Sequence, residues 1–206
     1  MLTENHQRCA RCRMRQDLCL CRDLPCLDLK TRVIVMMHQA EKDKTTNTAN
    51  LAKLCLKNSA VLIHGEKNEP LCLQDSLFAD TAYQPILLFP EEGASELNHD
   101  TLRKLGKGPY TLVVPDGTWR QATKISRRIP ELLKLPRVKL ALGPPTEYQL
   151  RRRVRPEGVC TIEAIARALS VLESPQVEVE LMRVFRVMVE RTLWSRRSSG
   201  PLALKP

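Results

Sequence analysis

Apolar residues fall along this chain in short unbroken runs, and the segments between the runs carry them at helical spacing. TRVIVMMH (31–38), SAVLIHG (59–65), QPILLFP (84–90), YTLVVP (110–115) and RVKLAL (137–142) are continuous rather than alternating. Strands of that kind are buried on both faces, as in a parallel sheet covered by helices above and below. The spacing predicts helices over 47–58, with Thr46 or Asn47 as N-cap, over 95–106, ended by Gly106, and over 118–129. Two more are predicted at 161–173 and at about 176–196. Strand and helix alternate, so the predicted fold class is α/β with a parallel sheet. Ligands of such sheets gather outside the carboxyl ends of the strands. The loops FPEEG, PDGTW and GPPTEY, after the third, fourth and fifth runs, are therefore where a site is expected.

Residues 1–28 break this pattern, with too few apolar side chains for a core of their own. They carry five of the chain's eight cysteines. Cys9 and Cys12 form a CxxC turn, and Cys19 and Cys21 form a CxC after six intervening residues. Four thiolates brought together within so short a stretch suit a tetrahedral structural zinc site. Metal binding would then supply the segment's folding free energy. An iron–sulfur cluster or free thiols are the competing readings, and Cys26 is a substitute ligand. A closed four-thiolate site has no open coordination position, so its role is structural or nucleic-acid-contacting rather than catalytic. Arg11, Arg13 and Arg15 lie among the ligands and suit phosphate contacts.

Charge adds a partner to the picture. Lys and Arg number 33 against 23 Asp and Glu, a formal net charge of +10. The basic residues cluster in RCRMR (11–15), KISRR (124–128), RRRVR (151–155) and WSRR (194–197), which points to a polyanion. No apolar run approaches the roughly 20 residues of a membrane helix. The first residues show no apolar leader either, so a cytoplasmic address is expected and no membrane partner. The division expected is a four-cysteine zinc segment over 1–28, a catalytic domain over 29–197 and a disordered tail over 198–206.

The sharpest local puzzle is DGTW, at 116–119, where a buried strand meets a basic helix. Either Asp116 or Thr118 serves as a helix N-cap. Capping does not account for Trp119, one of only two tryptophans, in the first helical turn. An indole there either packs in the core or lies against a flat ligand. Glu163, two residues after Thr161, matches a capping box only loosely.

At these residues the chain resembles the DTW-domain family, named for its DxTW signature, here Asp116, Gly117, Thr118 and Trp119. The resemblance runs from Cys9 to about Arg191. It includes the CxxC…CxC leader, HQAE (38–41) where members usually have HPxE, LLFP (87–90), and CTIEA (160–164) where they usually have STxEA. It implies a fold related to the SPOUT class of RNA methyltransferases, with a C-terminal trefoil knot around S-adenosylmethionine. The implied activity is transfer of the 3-amino-3-carboxypropyl group of that co-substrate to N3 of a tRNA uridine, in the variable loop for bacterial members, with release of methylthioadenosine. A methyltransferase or a non-catalytic zinc-ribbon RNA-binding protein is the alternative. On this reading Asp116 is the general base. Leu88, Phe89, Pro90, Pro115, Thr118, Thr161 and Glu163 would bind the co-substrate. Trp119 would stack on the target base. Arg120, Lys124, Tyr148, Arg151, Arg152, Arg153 and His38 would meet the RNA. Glu41 and His38 are equally readable as stabilisers of a turn, and the protein is expected as a monomer or a homodimer.

Overall fold

A computed structural model describes residues 7–66, 73, 79–106, 108–150 and 158–197. Its strands are β1 (Arg32–His38), β2 (Ser59–His64), β3 (Gln84–Leu88), β4 (Ser95–Glu96), β5 (Tyr110–Asp116) and β6 (Arg137–Lys139). Its helices are α1 (Thr48–Cys55), α2 (His99–Leu105), α3 (Trp119–Arg128), α4 (Pro130–Leu133), α5 (Thr161–Leu172) and α6 (Pro175–Arg197). The sheet runs β2-β1-β5-β3-β6-β4, and every pairing is parallel.

Burial explains the unbroken apolar runs. All seven residues of β5 are buried, because β5 lies between β1 and β3 with helices over both faces. Side chains alternate between two cores, as a period of two requires. Val33, Val35, Met37, Leu112 and Val114 share one core with α1, α5 and α6. Ile34, Met36, Leu87 and Val113 share the other with Ile125 and Ile129 of the α3 region and Leu132 of α4. Along α6 the buried positions Val177, Leu181, Val184, Phe185, Met188 and Thr192 recur every three or four residues, a stripe facing one side.

The elements expected from the sequence are present, with four differences. Helix α2 begins at His99 rather than 95, because Asn98 caps it by accepting from the Thr101 amide at 2.9 Å. Ser95 and Glu96 instead form an edge strand on β6. Strand β6 stops at Lys139, and Leu142 beyond it is 95% exposed. The short α4, opened by Pro130, was not anticipated.

The cysteine segment, short of apolar residues of its own, shares the main core. It does not stand apart from the core. Met14, Leu18 and Leu20 are buried in the same core as Phe185 and Met188. Arg191 of α6 donates to the Cys19 carbonyl at 2.7 Å and pairs with Asp23 at 2.8 Å. Leu27 pairs backbone to backbone with the end of α1, through Leu27 N to Cys55 O at 2.8 Å and Lys57 N to Leu27 O at 3.0 Å. The boundary near residue 28 is a change of composition, not a gap in packing. Among the described residues no helix is long and apolar enough to cross a membrane. The tail 198–206 and Arg151, Arg152 and Arg153 lie outside the described residues.

Candidate active site and cysteine centre

From β1 the chain passes to β2 on one side of the sheet and then to β3 on the other, with β5 inserted between β1 and β3. In parallel sheets ligands gather at the carboxyl ends of the strands at such a reversal. Asp116 is the last residue of β5, directly beside Met37 of β1, and is 5% exposed. Its Oδ2 accepts from Asn47 Nδ2 at 3.3 Å, and its Oδ1 accepts from the Thr161 hydroxyl in a short hydrogen bond.

Which residue caps α3 is thereby decided. Thr118 Oγ1 accepts from the Gln121 amide at 3.4 Å, and Gln121 Oε1 accepts from the Thr118 amide at 2.7 Å, a reciprocal capping box. Asp116 is not used for it. Gly117 makes the division possible: at φ 156° a Cβ would stand 2.9 Å from the Gln121 Cβ. A side chain there would push the cap away from the strand end.

Around this acid, Trp119 occupies the first turn of α3, 38% exposed, with its ring 5.4 Å from that of Phe89 and tilted by 32°. Phe89 is buried just after β3 and gives the indole a backing. Arg120 and Lys124 are exposed one turn apart on α3, and Pro90 is exposed beside Phe89. Leu88 and Pro115 are buried within strand ends, so what they offer a ligand is backbone.

His38 ends β1. Its Nδ1 accepts from the Ala40 amide at 3.1 Å and lies 3.2 Å from Gln121 Nε2. Because Gln121 Oε1 already accepts from Thr118, its nitrogen faces the ring and donates. The ring proton therefore sits on Nε2. Glu41, 5% exposed, pairs with Lys44 at 2.6 Å, so both residues of HQAE hold the turn. His64 is aligned with His38 across the sheet, and burial, with His38 nearby, lowers its pKa.

Two expected ligand contacts look different in three dimensions. Glu163 is wholly buried; its carboxylate accepts from Thr146 Oγ1 at 2.6 Å and from the Glu147 and Cys160 amides at 2.7 Å each. It is the N3 residue of a full capping box whose N-cap is Cys160, not Thr161, so the spacing is the regular three. In this structure it offers no open carboxylate; it holds the loop 144–148 against α5. Tyr148, expected at the RNA, is 8% exposed, stacks on Phe185 at 5.9 Å and donates to the Thr46 carbonyl at 3.0 Å. It ties that loop to the start of α1.

Asn47 is the residue that sequence reasoning missed. Its role as the α1 cap was legible, and Oδ1 does accept from Asn50 N at 2.9 Å. The other half of the same amide donates to Asp116, 69 positions away, and no local pattern signals that.

The cysteine centre matches its prediction in geometry. The sulfurs of Cys9, Cys12, Cys19 and Cys21 all lie within 4.8 Å of one another, with Cys9–Cys21 at 3.6 Å and Cys12–Cys19 at 3.7 Å. Four sulfurs about 2.3 Å from one tetrahedral ion stand roughly 3.8 Å apart, so the cluster could hold a single metal ion. A multi-iron cube would hold them further apart. Backbone amides of Cys12 and Arg11 lower the Cys9 thiol to about 6, and burial pushes Cys21 up to about 12. Cys26 is exposed and outside the cluster. Arg15 is not available to phosphate: it is 9% exposed, bonded to Asp17 and lying over the Trp194 ring.

Sheet, cysteine cluster and buried acid together define a parallel α/β domain with a carboxylate at its strand reversal. A family model described as the DTW domain matches residues 6–193, and the chain belongs to that family. The tRNA-uridine aminocarboxypropyltransferase 2 of Drosophila melanogaster is 29% identical over 197 residues, 90% of this chain and 75% of its own length. The mouse protein of the same name is 30% identical over 176 residues, 82% of this chain and 58% of its own, and the Macaca fascicularis protein 28% over 172. The chain thus spans a little over half the length of the two mammalian relatives. Among solved structures, the SAM-dependent rRNA:acp-transferase Tsr3 from Vulcanisaeta distributa aligns with a TM-score of 0.48 at 15% identity, over 81% of this chain and 79% of that one.

Proposed function

We propose that this protein is an enzyme that transfers the 3-amino-3-carboxypropyl group of S-adenosylmethionine to N3 of a uridine in tRNA, releasing methylthioadenosine. The observation that carries the reading is the placement of Asp116, buried at the strand reversal and gripped by Asn47 and Thr161 while Thr118 does the capping. The names of the three relatives supply the substrate class.

When bound, S-adenosylmethionine supplies an electrophilic carbon beside its sulfonium. The protein's part is to present uridine N3 without its proton. Asp116 accepts that proton. Asn47 and Thr161 donate to its carboxylate and aim it. Trp119, backed by Phe89, stacks on the uracil. Arg120 and Lys124 meet the phosphates on either side. The loop 144–148, held by Glu163, forms one wall and excludes water. The trefoil knot that the family resemblance implies belongs to this proposal; residues 151–157 lie outside the described residues. Zinc is the ion proposed for the four cysteines, in a structural role.

Mass spectrometry of nucleosides from tRNA incubated with protein and S-adenosylmethionine tests the reading. The expected product is a uridine heavier by the aminocarboxypropyl group, with methylthioadenosine alongside. Asp116→Asn lowers its formation by about 10²–10⁴-fold while tRNA affinity stays within about twofold. S-adenosylhomocysteine as by-product would make the protein a methyltransferase. Binding without consumption would make it an RNA-binding module.

A further inference from the structure

A cavity of about 200 Å³ lies between the cysteine clasp and α1, with Asn47 among its lining residues. Its rim carries four cations from two chain segments: Arg11 and Arg13 of the clasp, Lys44 before α1 and Lys53 on it. Its floor is apolar, with Leu20, Leu54 and Met188. Ligand pockets for whole cofactors measure about 300–1,000 Å³, so this one is too small for S-adenosylmethionine. At about 30 Å³ per water it holds six or seven waters, the scale of a single phosphate with its sugar or base edge.

The cations differ in commitment. Lys44 is paired with Glu41 at 2.6 Å, and Arg13 donates to the Lys42 carbonyl. Arg11 and Lys53 are exposed and form no ion pair among the described residues. A cationic rim over an apolar floor matches a nucleotide, whose phosphate is charged and whose base is flat and weakly polar. Asn47 connects the two places: it lines this cavity and donates to Asp116.

We infer that this cavity is a second RNA subsite, which seats one nucleotide of the substrate beside the target uridine. The inference rests on the proposed tRNA activity and adds the site that sets where the strand enters. The clasp is then not only a staple for α6: it forms half of a nucleotide pocket whose other half is α1.

The test uses the full chain, with bound metal and melting temperature checked for each variant. Wild type, Arg11→Ala/Lys53→Ala and Lys53→Glu are compared for tRNA affinity by fluorescence anisotropy at several KCl concentrations. S-adenosylmethionine affinity is measured by calorimetry. In the double variant, tRNA affinity is expected to weaken about tenfold and the log–log salt slope to shrink by about one to two, with co-substrate affinity unchanged. Lys53→Glu, on an exposed helix position remote in sequence from the four clustered cysteines, should show the same direction. Unchanged tRNA affinity and slope in both variants would overturn the subsite. So would a parallel loss of S-adenosylmethionine affinity, or a polyglutamate peptide that competes with tRNA for wild type but not for the double variant. Wild type that forms product while the variants keep their slope sinks the pocket alone. Wild type that binds tRNA with a slope the variants lose, yet forms no product, sinks the transferase reading and leaves the pocket standing.

Discussion

The four sulfurs of the clasp come from thirteen consecutive residues, whereas the groups that meet at the end of β5 come from positions 47, 116 and 161. The first arrangement is written in local spacing, because a CxxC turn and a CxC turn each place two thiols on one side of a short backbone path. The second exists only once the sheet has formed and α1 and α5 have been laid across it. A clasp of this kind can be lost by one substitution within its own segment. The acid at β5 can be misaimed by changes in three distant elements. The two regions also differ in reach: the clasp holds α6 to the core, and Asp116 ties the end of β5 to Asn47 before α1 and to Thr161 at the start of α5.

Removing the metal proposed for the four cysteines is the hardest test of that contrast, with the largest expected effect. Met14, Leu18 and Leu20 are carried into the main core by the clasp. Each such side chain contributes roughly 1.5–3 kcal/mol when buried. Chelation, or Cys12→Ser, is therefore expected to cost on the order of 5 kcal/mol of global stability. It should shift thermal unfolding well beyond ten degrees and raise hydrogen exchange along the C-terminal half of α6, where Arg191 grips the Cys19 carbonyl. A melting temperature unmoved by metal loss would show that the clasp is an appendage and erase the distinction drawn above.

What could be read from the sequence follows the same line. The alternation of strands and helices was legible because the central positions of β5, β1 and β3 are buried and form short unbroken apolar runs. The four cysteines, Asp116 and Trp119 stood out through local spacing. The short strand at Ser95–Glu96 was not legible: two exposed residues carry no apolar pattern, and their pairing with β6 is decided elsewhere. Tyr148 was misread as an RNA contact because its basic neighbours suggested a surface, while Phe185, 37 positions later, supplies its packing. Glu163 was misread through counting from the wrong cap. Cys160, whose thiol takes the place of a capping hydroxyl, gave the sequence no polar signal of a helix start.

A medium-sized effect sharpens the other side of the comparison. Thr161 reaches Asp116 from the first turn of α5 and positions it. Thr161→Val keeps the shape and removes the donor. A hydrogen bond to a charged group contributes about 1.5–3 kcal/mol, so product formation should fall about 10- to 100-fold with S-adenosylmethionine affinity changed far less. Thr161→Ser should restore most of the rate. A structural role alone would lower melting temperature without moving the pH–rate profile. An aiming role displaces the acid limb of that profile, because the residue that titrates has lost a donor. A rate unchanged by Thr161→Val, at unchanged stability, would show that Asp116 needs no outside support.

The smallest effect concerns the outer fastening of the loop 144–148. Glu163 holds this loop from within, and Arg186 of α6 holds it from outside through two bonds to Glu147, at 2.7 and 2.8 Å. The hydrogen bonds from Arg186, ahead of its charge, lower the Glu147 pKa. A depressed carboxylate pKa contributes stability that is present above the unfolded value, about 4.3 for glutamate, and is lost as pH falls through the folded value. The pair is solvent-exposed, 58% and 43% by side chain, so its contribution should stay below about 1 kcal/mol. Arg186→Ala is therefore expected to be slightly less stable than wild type in urea at pH 7 and indistinguishable from it near pH 3. Adding about 1 M KCl at pH 7 should shrink the difference in the same direction. A difference that survives both acid and salt would mean that Arg186 acts by packing its stem against the loop, and that the outer fastening is apolar like the clasp's hold on α6.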